Sequence, residues 1–301
     1  MKKKNLFNII IGLLVVLYAI FGTDAIDDLK KTTANVSNIN TNDVVKAEEN
    51  LFISFLDVGQ ADSILINFKD KYMLIDAGNN EDGEKLVKYF NDNNINKFDY
   101  VVATHPHEDH IGGMDNIIEN FEINTFYIPN KITTTKTFED VLDAMEKKGL
   151  MFNTPNMDEE FSLGDCNIKV IYNGDDTNDI NDSSIVLKLT YKNNSFLFTG
   201  DATSNVEKII LNKDIKSDVL KVGHHGSSYS STNDFLDKVS PTYAVIQVGK
   251  NNIYKHPTNS TLNKLSKRNI KVFRTDINGT ITFSSDGNNI NVKYYNTDLN
   301  G

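Results

Sequence analysis

Residues 104–113 read Thr-His-Pro-His-Glu-Asp-His-Ile-Gly-Gly and hold three of the six histidines in this 301-residue chain. Imidazole is the commonest protein donor to transition metals, and carboxylate adds a hard oxygen ligand. The segment follows Tyr100–Ala103, a short apolar run that reads as a buried strand. In extended backbone His105 and His107 point the same way, because side chains alternate with period two. They can therefore share one ion. Asp109 and His110 come where the chain turns toward Gly112-Gly113, and they can serve a second ion beside the first.

The remaining histidines repeat this placement. His224 and His225 follow the strand-like run Val219–Val222, and His256, in Lys-His-Pro, follows Tyr243–Val248. Asp201, in Thr-Gly-Asp, closes the run Ser195–Thr199. Loops beyond the C-terminal ends of strands are where sites gather in α/β sheets. Taken singly, Asp201 reads as a helix N-cap and His256 as a turn residue. Taken together, every histidine in the chain stands in such a loop.

Outward from these loops, β-prone runs cluster at both ends (Leu51–Asp57, Ser63–Phe68 and Tyr72–Asp76; Thr280–Phe283 and Ile290–Tyr295 around Asp286-Gly287). Between them strands alternate with amphipathic segments such as Glu84–Asn91 and Phe138–Lys147, and Phe161–Tyr172 reads as one strand. The order predicts sheets of mixed direction covered by helices. With 41 acidic against 31 basic residues the net charge is −10, which argues against wrapping nucleic acid through a basic surface. The single Cys166 excludes an internal disulfide framework and a multi-cysteine zinc site.

At the N-terminus three lysines precede an apolar run over 6–22. Residues 1–25 are expected to be a signal peptide or an N-terminal membrane anchor, and either exports the rest of the chain. Residues 26–49 are polar and aperiodic, as in a linker. Residues 50–298 form the folded body. The localisation this implies is extracellular or cell-envelope, with membrane contact through the N-terminal segment if it is retained.

The chain resembles the metallo-β-lactamase superfamily through the His-x-His-x-Asp-His loop at 105–110. It is more specifically similar to the hydrolase domain of ComEC-type competence proteins. The residues that carry this are Leu56-Asp57-Val58-Gly59-Gln60-Ala61-Asp62-Ser63, Leu74-Ile75-Asp76-Ala77-Gly78, Asn181-Asp182-Ser183-Ser184, Phe198-Thr199-Gly200-Asp201, Lys221-Val222-Gly223-His224-His225-Gly226-Ser227 and His256-Pro257. The resemblance implies an α/β fold, an αββα four-layer sandwich of two mixed sheets flanked by helices. It also implies two divalent metal ions, Zn2+ or Mn2+. His105 and His107 would hold the first and Asp109 and His110 the second. Asp201 would bridge them, and one of His224 and His225, preferably His225, would complete the second. Asp76 would orient a ligand, with Asp57, Gln60, Asn181, Asp182 and Ser227 beside ligands or substrate.

The superfamily's usual third histidine of the first site is missing, because Asn181-Asp182 stand there; they read equally well as a plain turn before a strand. The loss makes that site oxygen-richer and manganese a competitor of zinc. The implied reaction is metal-dependent hydrolysis of a phosphodiester, DNA or a cell-wall polymer of the teichoic acid type. Two ions lower the pKa of a water they share and clamp the phosphoryl oxygens. Asp109 belongs to this catalytic set, and His224 or His256 would protonate the leaving group or stabilise the equatorial oxygens. A metal-stabilised binding module without turnover is the alternative, and no obligate protein partner is evident.

Overall fold

Among the described residues, fourteen strands pair into two seven-stranded sheets. The computed structural model describes residues 50–174 and 177–295. The segments expected to be leader and linker lie outside the described residues. Among the described residues no helix is long and apolar enough to cross a membrane.

The first sheet runs β14 (Ile290–Tyr295), β13 (Thr280–Ser285), β1 (Leu51–Phe55), β2 (Ile64–Phe68), β3 (Lys71–Ile75), β4 (Lys97–Val102), β5 (Glu122–Tyr127). The second runs β12 (Lys271–Arg274), β11 (Tyr243–Ile246), β10 (Val219–Lys221), β9 (Asn194–Phe198), β8 (Val186–Tyr191), β7 (Cys166–Tyr172), β6 (Glu160–Leu163). Both are mixed: β3–β4–β5 and β9–β10–β11–β12 pair in parallel, the other neighbours antiparallel. The stretch Phe161–Tyr172, expected as one strand, is instead a hairpin. Gly164 adopts φ +60, and Leu163 pairs with Cys166 across the Gly164-Asp165 turn.

Alternation along the strands explains the layering. In β1, Leu51, Ile53 and Phe55 join the core between the sheets, where Phe55 meets Phe198 and Phe283. Burying each such side chain is worth about 1.5–3 kcal/mol. The outer face of the first sheet is covered by α1 (Gly83–Asp92), α2 (Glu108–Ile111), α3 (Met114–Asn120) and α4 (Lys136–Lys148), which bring Leu86, Phe90, Ile117 and Val141 to a second core. On the outer face of the other sheet, α5 (Ser204–Ile210), α6 (Asn233–Val239) and α7 (Asn259–Ser266) bury Val206, Leu236 and Leu265 in a third. A short α8 (Thr275–Asn278) links β12 to β13. Helix–sheet–sheet–helix is the expected sandwich. Cys166 is buried and forms no disulfide.

The parallel strands set the location of the site. The loops leaving β1, β3 and β4 in one sheet and β9, β10 and β11 in the other emerge at a common edge. Gly112 allows the 104–113 loop to lie against the loop after β3: a Cβ there would sit 2.2 Å from the backbone of Asn79 and Asn80. The amide of Gly112 donates to Gly78 O at 2.9 Å.

Candidate metal centre

Asp201 stands at the middle of the cluster. Its Oδ1 lies 3.4 Å from His110 Nε2, and its Oδ2 lies 3.7 Å from His225 Nε2, 3.7 Å from His224 Nε2 and 4.0 Å from His105 Nε2. It does not cap the following helix: Thr203 accepts from the Asn205 amide instead. The Asp201 amide donates to Ser184 Oγ at 3.0 Å, fixing the loop that carries the carboxylate.

His105, His110 and His225 are each oriented by their other nitrogen. His110 Nδ1 lies 2.8 Å from Asp76 Oδ2, which directs Nε2 toward Asp201. Asp76 also accepts from the Thr104 amide and hydroxyl, both at 2.7 Å. His225 Nδ1 donates to Gln247 O at 2.9 Å, and its Nε2 lies 3.2 Å from Asp109 Oδ2. His105 Nδ1 faces Thr104 Oγ1 and Ser184 Oγ at 3.2 and 3.3 Å, and its Nε2 meets His107 Nδ1 at 3.0 Å. His105 and His107 meet as expected, but across a bend at 105–106 rather than along an extended run. Histidine ligands in metal sites characteristically have their second nitrogen held in this way.

The His224-His225 turn is strained. Both residues are left-handed, at φ 51, ψ 50 and φ 50, ψ 26. Non-glycine residues in this region cost about 1–3 kcal/mol each and cluster at functional sites.

Electrostatics follow from four imidazoles surrounding buried carboxylates. Burial opposes charge on His110, yet Asp201, Asp76 and Asp109 outweigh it and hold the ring well above the ordinary histidine value. Burial likewise opposes charge on His225, and Asp201, Asp62 and Asp109 push it up to about 10. Burial alone would raise Asp201, but His225, His110 and His105 hold it well below the carboxylate range. Burial, reinforced by His110, lowers His105 well below its usual value. His110 Nε2 and Asp201 Oδ1 are buried without hydrogen-bond partners, as donor atoms reserved for a cation would be. Asp109, His110, Asp201 and His225 each offer a ligand atom, all within 4.8 Å of one another. The donor set fits a divalent ion there, and beside it His105 Nε2 and His107 Nδ1 face each other at 3.0 Å.

The cluster opens into a cavity of about 570 Å³ lined by His107, Asp109, Asp201, His224, His225 and His256, with Gln60, Asn79, Glu81, Asp82, Glu108, Asn181 and Tyr254. His256 Nδ1 is buried without a partner, and its ring meets His224 edge-on at 5.7 Å. Asn181 reaches the wall, and Gln60 accepts from the Gly249 amide at 3.1 Å. Three other expected neighbours stand away from that wall. Asp182 accepts from Thr203 and Asn205 and braces the start of α5. Asp57 accepts from the Gly59 amide at 3.3 Å within its own loop. Ser227 accepts from the Tyr229 amide at 3.3 Å. Sequence alone gave no role to Asp62, Lys221, Thr104, Ser184 or Gln247. All of them but Gln247 stand inside the motifs quoted above, which mark the positions without assigning them a role.

A four-layer sandwich with a His-x-His-x-Asp-His loop and a central Asp201 defines a class, and the family model for the metallo-beta-lactamase superfamily matches residues 56–250. The chain belongs to that superfamily. Within it, the chain is similar to ComE operon protein 3 of Bacillus subtilis, at 31% identity over 252 residues, 77% of this chain and 32% of that protein. Competence protein ComA of Neisseria gonorrhoeae is 30% identical over 243 residues, 78% of this chain and 32% of that protein. The chain thus spans about a third of these relatives' length. Among solved structures, the metallo-beta-lactamase fold protein YhfI from Bacillus subtilis superposes with TM-score 0.52 at 11% identity, covering 74% of this chain and 95% of its own. CmlA, a diiron β-hydroxylase from Streptomyces venezuelae, reaches 0.51 at 12% identity, over 82% of this chain and 54% of its own. At these identities the likeness is one of fold.

Proposed function

We propose that this chain is an exported phosphodiesterase that depends on two divalent ions, with DNA as its first candidate substrate. The observation that carries the reading is the Asp201 carboxylate with imidazole nitrogens of His105, His110, His224 and His225 within 4.0 Å of its oxygens. His105 and His107 would hold one ion, Asp109, His110 and His225 the other, and Asp201 both. The bound pair would supply Lewis-acid activation of water and charge neutralisation at the phosphoryl group.

The protein's own groups do the rest. Asp76 fixes which nitrogen His110 presents, and Gln247 O does the same for His225. His256 lines the cavity half-buried, and burial together with His224 and His225 lowers its pKa. A neutral ring suits it to donate a hydrogen bond to a phosphoryl oxygen better than to protonate a leaving group. The wall lining the cavity carries Glu81, Asp82 and Glu108 and neither lysine nor arginine, so phosphate recognition rests on the metal end. The lysine-led apolar run at 6–22 supports export. Similarity to competence proteins supports DNA over a cell-wall polymer.

Turnover of bis-p-nitrophenyl phosphate, single-stranded DNA and a poly(glycerol phosphate) by chelator-stripped full-length protein, before and after Mn2+ or Zn2+, tests the proposal. Metal-restored cleavage of the diester and DNA, abolished in Asp201→Ala, is the expected result. Cleavage of the polymer alone would move the substrate to the envelope. Metal uptake without any turnover would make the chain a binding module.

A further inference from the structure

Behind the cluster lies a buried ion pair that the metal reading does not use. Lys221 Nζ meets Asp62 Oδ2 at 2.6 Å, and the two side chains are 0% and 1% exposed. Lys221 ends β10 in the second sheet, and Asp62 lies in the β1–β2 loop of the first, so the pair joins the sheets just behind the site. Placing such a pair in the interior costs several kcal/mol per ion in lost hydration, and a well-packed apolar pair is often as stable or more so. Stability alone therefore does not account for it.

The contacts of Asp62 are specific. Its amide donates to Asp109 O at 3.0 Å, and its carbonyl accepts from the Gly78 amide at 2.9 Å. Its Oδ1 lies 3.4 Å from His225 Nδ1, and its Oδ2 lies 4.0 Å from His110 Nδ1. One residue thus touches Asp109 through its backbone and faces the rear nitrogens of His110 and His225 through its side chain. Those three side chains, with Asp201, form the four-residue ligand cluster. Asp62, Asp76 and His110 also lie close enough together to suggest a further cation site. The Lys221 ammonium already occupies that position against Asp62, and it also donates to Val222 O at 3.2 Å.

We infer that Asp62 and Lys221 are positioning residues for the second ion: the pair holds Asp109, His110 and His225 as one ligand set and leaves the His105–His107 end untouched. The inference rests on the two-ion reading and is tested by binding rather than turnover. Stripped full-length protein is titrated with Mn2+ and Zn2+ by calorimetry, with Co2+ absorption reporting coordination and circular dichroism and thermal melting reporting the fold. Asp62→Asn is expected to weaken one of the two ion sites about 10–100-fold, the usual effect of losing a partner behind a ligand, with the other unchanged. The double variant Asp62→Leu/Lys221→Met is expected to melt at or above the wild-type temperature and still bind the second ion weakly, with an altered Co2+ spectrum.

Wild-type affinity at both sites in the double variant would reduce the pair to a structural role and overturn the inference. Equal weakening of both sites in Asp62→Asn, or no weakening, would do the same. A wild-type chain that takes up fewer than two ions would overturn the two-ion reading, and this assignment with it.

Discussion

His110 Nδ1 and Asp76 Oδ2 are 2.8 Å apart and wholly buried, and that contact decides which face of His110 meets Asp201. Asp76 reaches it from a left-handed backbone, at φ 59, directly after β3. An amide at this position would no longer accept as an anion from His110 and Thr104, and hydrogen bonds to charged groups are worth about 1.5–3 kcal/mol each. Asp76→Asn should therefore bind Mn2+ or Zn2+ about 10–100-fold more weakly in chelator competition. Wild-type affinity would show that the carboxylate does not orient the ligand.

Stability of the metal-free protein should peak near pH 6.5. His110 and His225 have folded values above the unfolded one. Their contribution is complete below the unfolded value of about 6.5 and is lost as pH rises, for His225 through about 10. His105, His107 and His256 have lowered values, so they contribute above about 6.5 and the contribution is lost as pH falls below it. Saturating metal should abolish the alkaline decline, because the ion replaces the protons on His110 and His225. Melting curves from pH 4 to 10, with chelator and with metal, check this; a flat metal-free profile would contradict it.

Gly112→Ala should lower the melting temperature. Its new methyl would sit 2.2 Å from the Asn79–Asn80 backbone, which cannot yield as a flexible side chain would. Overpacking of this kind costs about 1–3 kcal/mol, or about 2–4 °C per kcal/mol for a chain of this size. An unchanged melt would mean that the two loops pack less tightly than described.

His256→Ala should reduce kcat for a phosphodiester by about 10²–10³-fold, the usual effect of removing one donor to developing oxyanion charge. His256→Gln, which keeps a donor, should recover part of the loss, and both variants should hold wild-type amounts of metal. Equal losses in the two variants would favour a proton-transfer role over hydrogen bonding.

What the sequence made legible and what it hid divide along contact order. His105, His107, Asp109 and His110 lie in one short loop, so their spacing is informative by itself. Asp201, His224 and His225 are recognisable because each comes after an apolar run that ends a strand. The supports are different in kind. The Gln247 carbonyl that holds His225 is a backbone atom and leaves no trace in residue type. Asp62 and Lys221 are 159 positions apart in the numbering, and neither signals the other. Asp182 stood in a motif yet spends its oxygens on Thr203 and Asn205. The hairpin at Gly164-Asp165 was hidden because two apolar runs meet across a turn of only two residues.

Whether Asp201 and the surrounding imidazoles grip a pair of cations is tested most directly by elemental analysis of full-length protein after exposure to Mn2+ or Zn2+ and removal of free ion. Two equivalents per chain, falling below one in Asp201→Ala with the fold intact, is the expected result. No retained metal in the wild type, or two equivalents in Asp201→Ala, would contradict it.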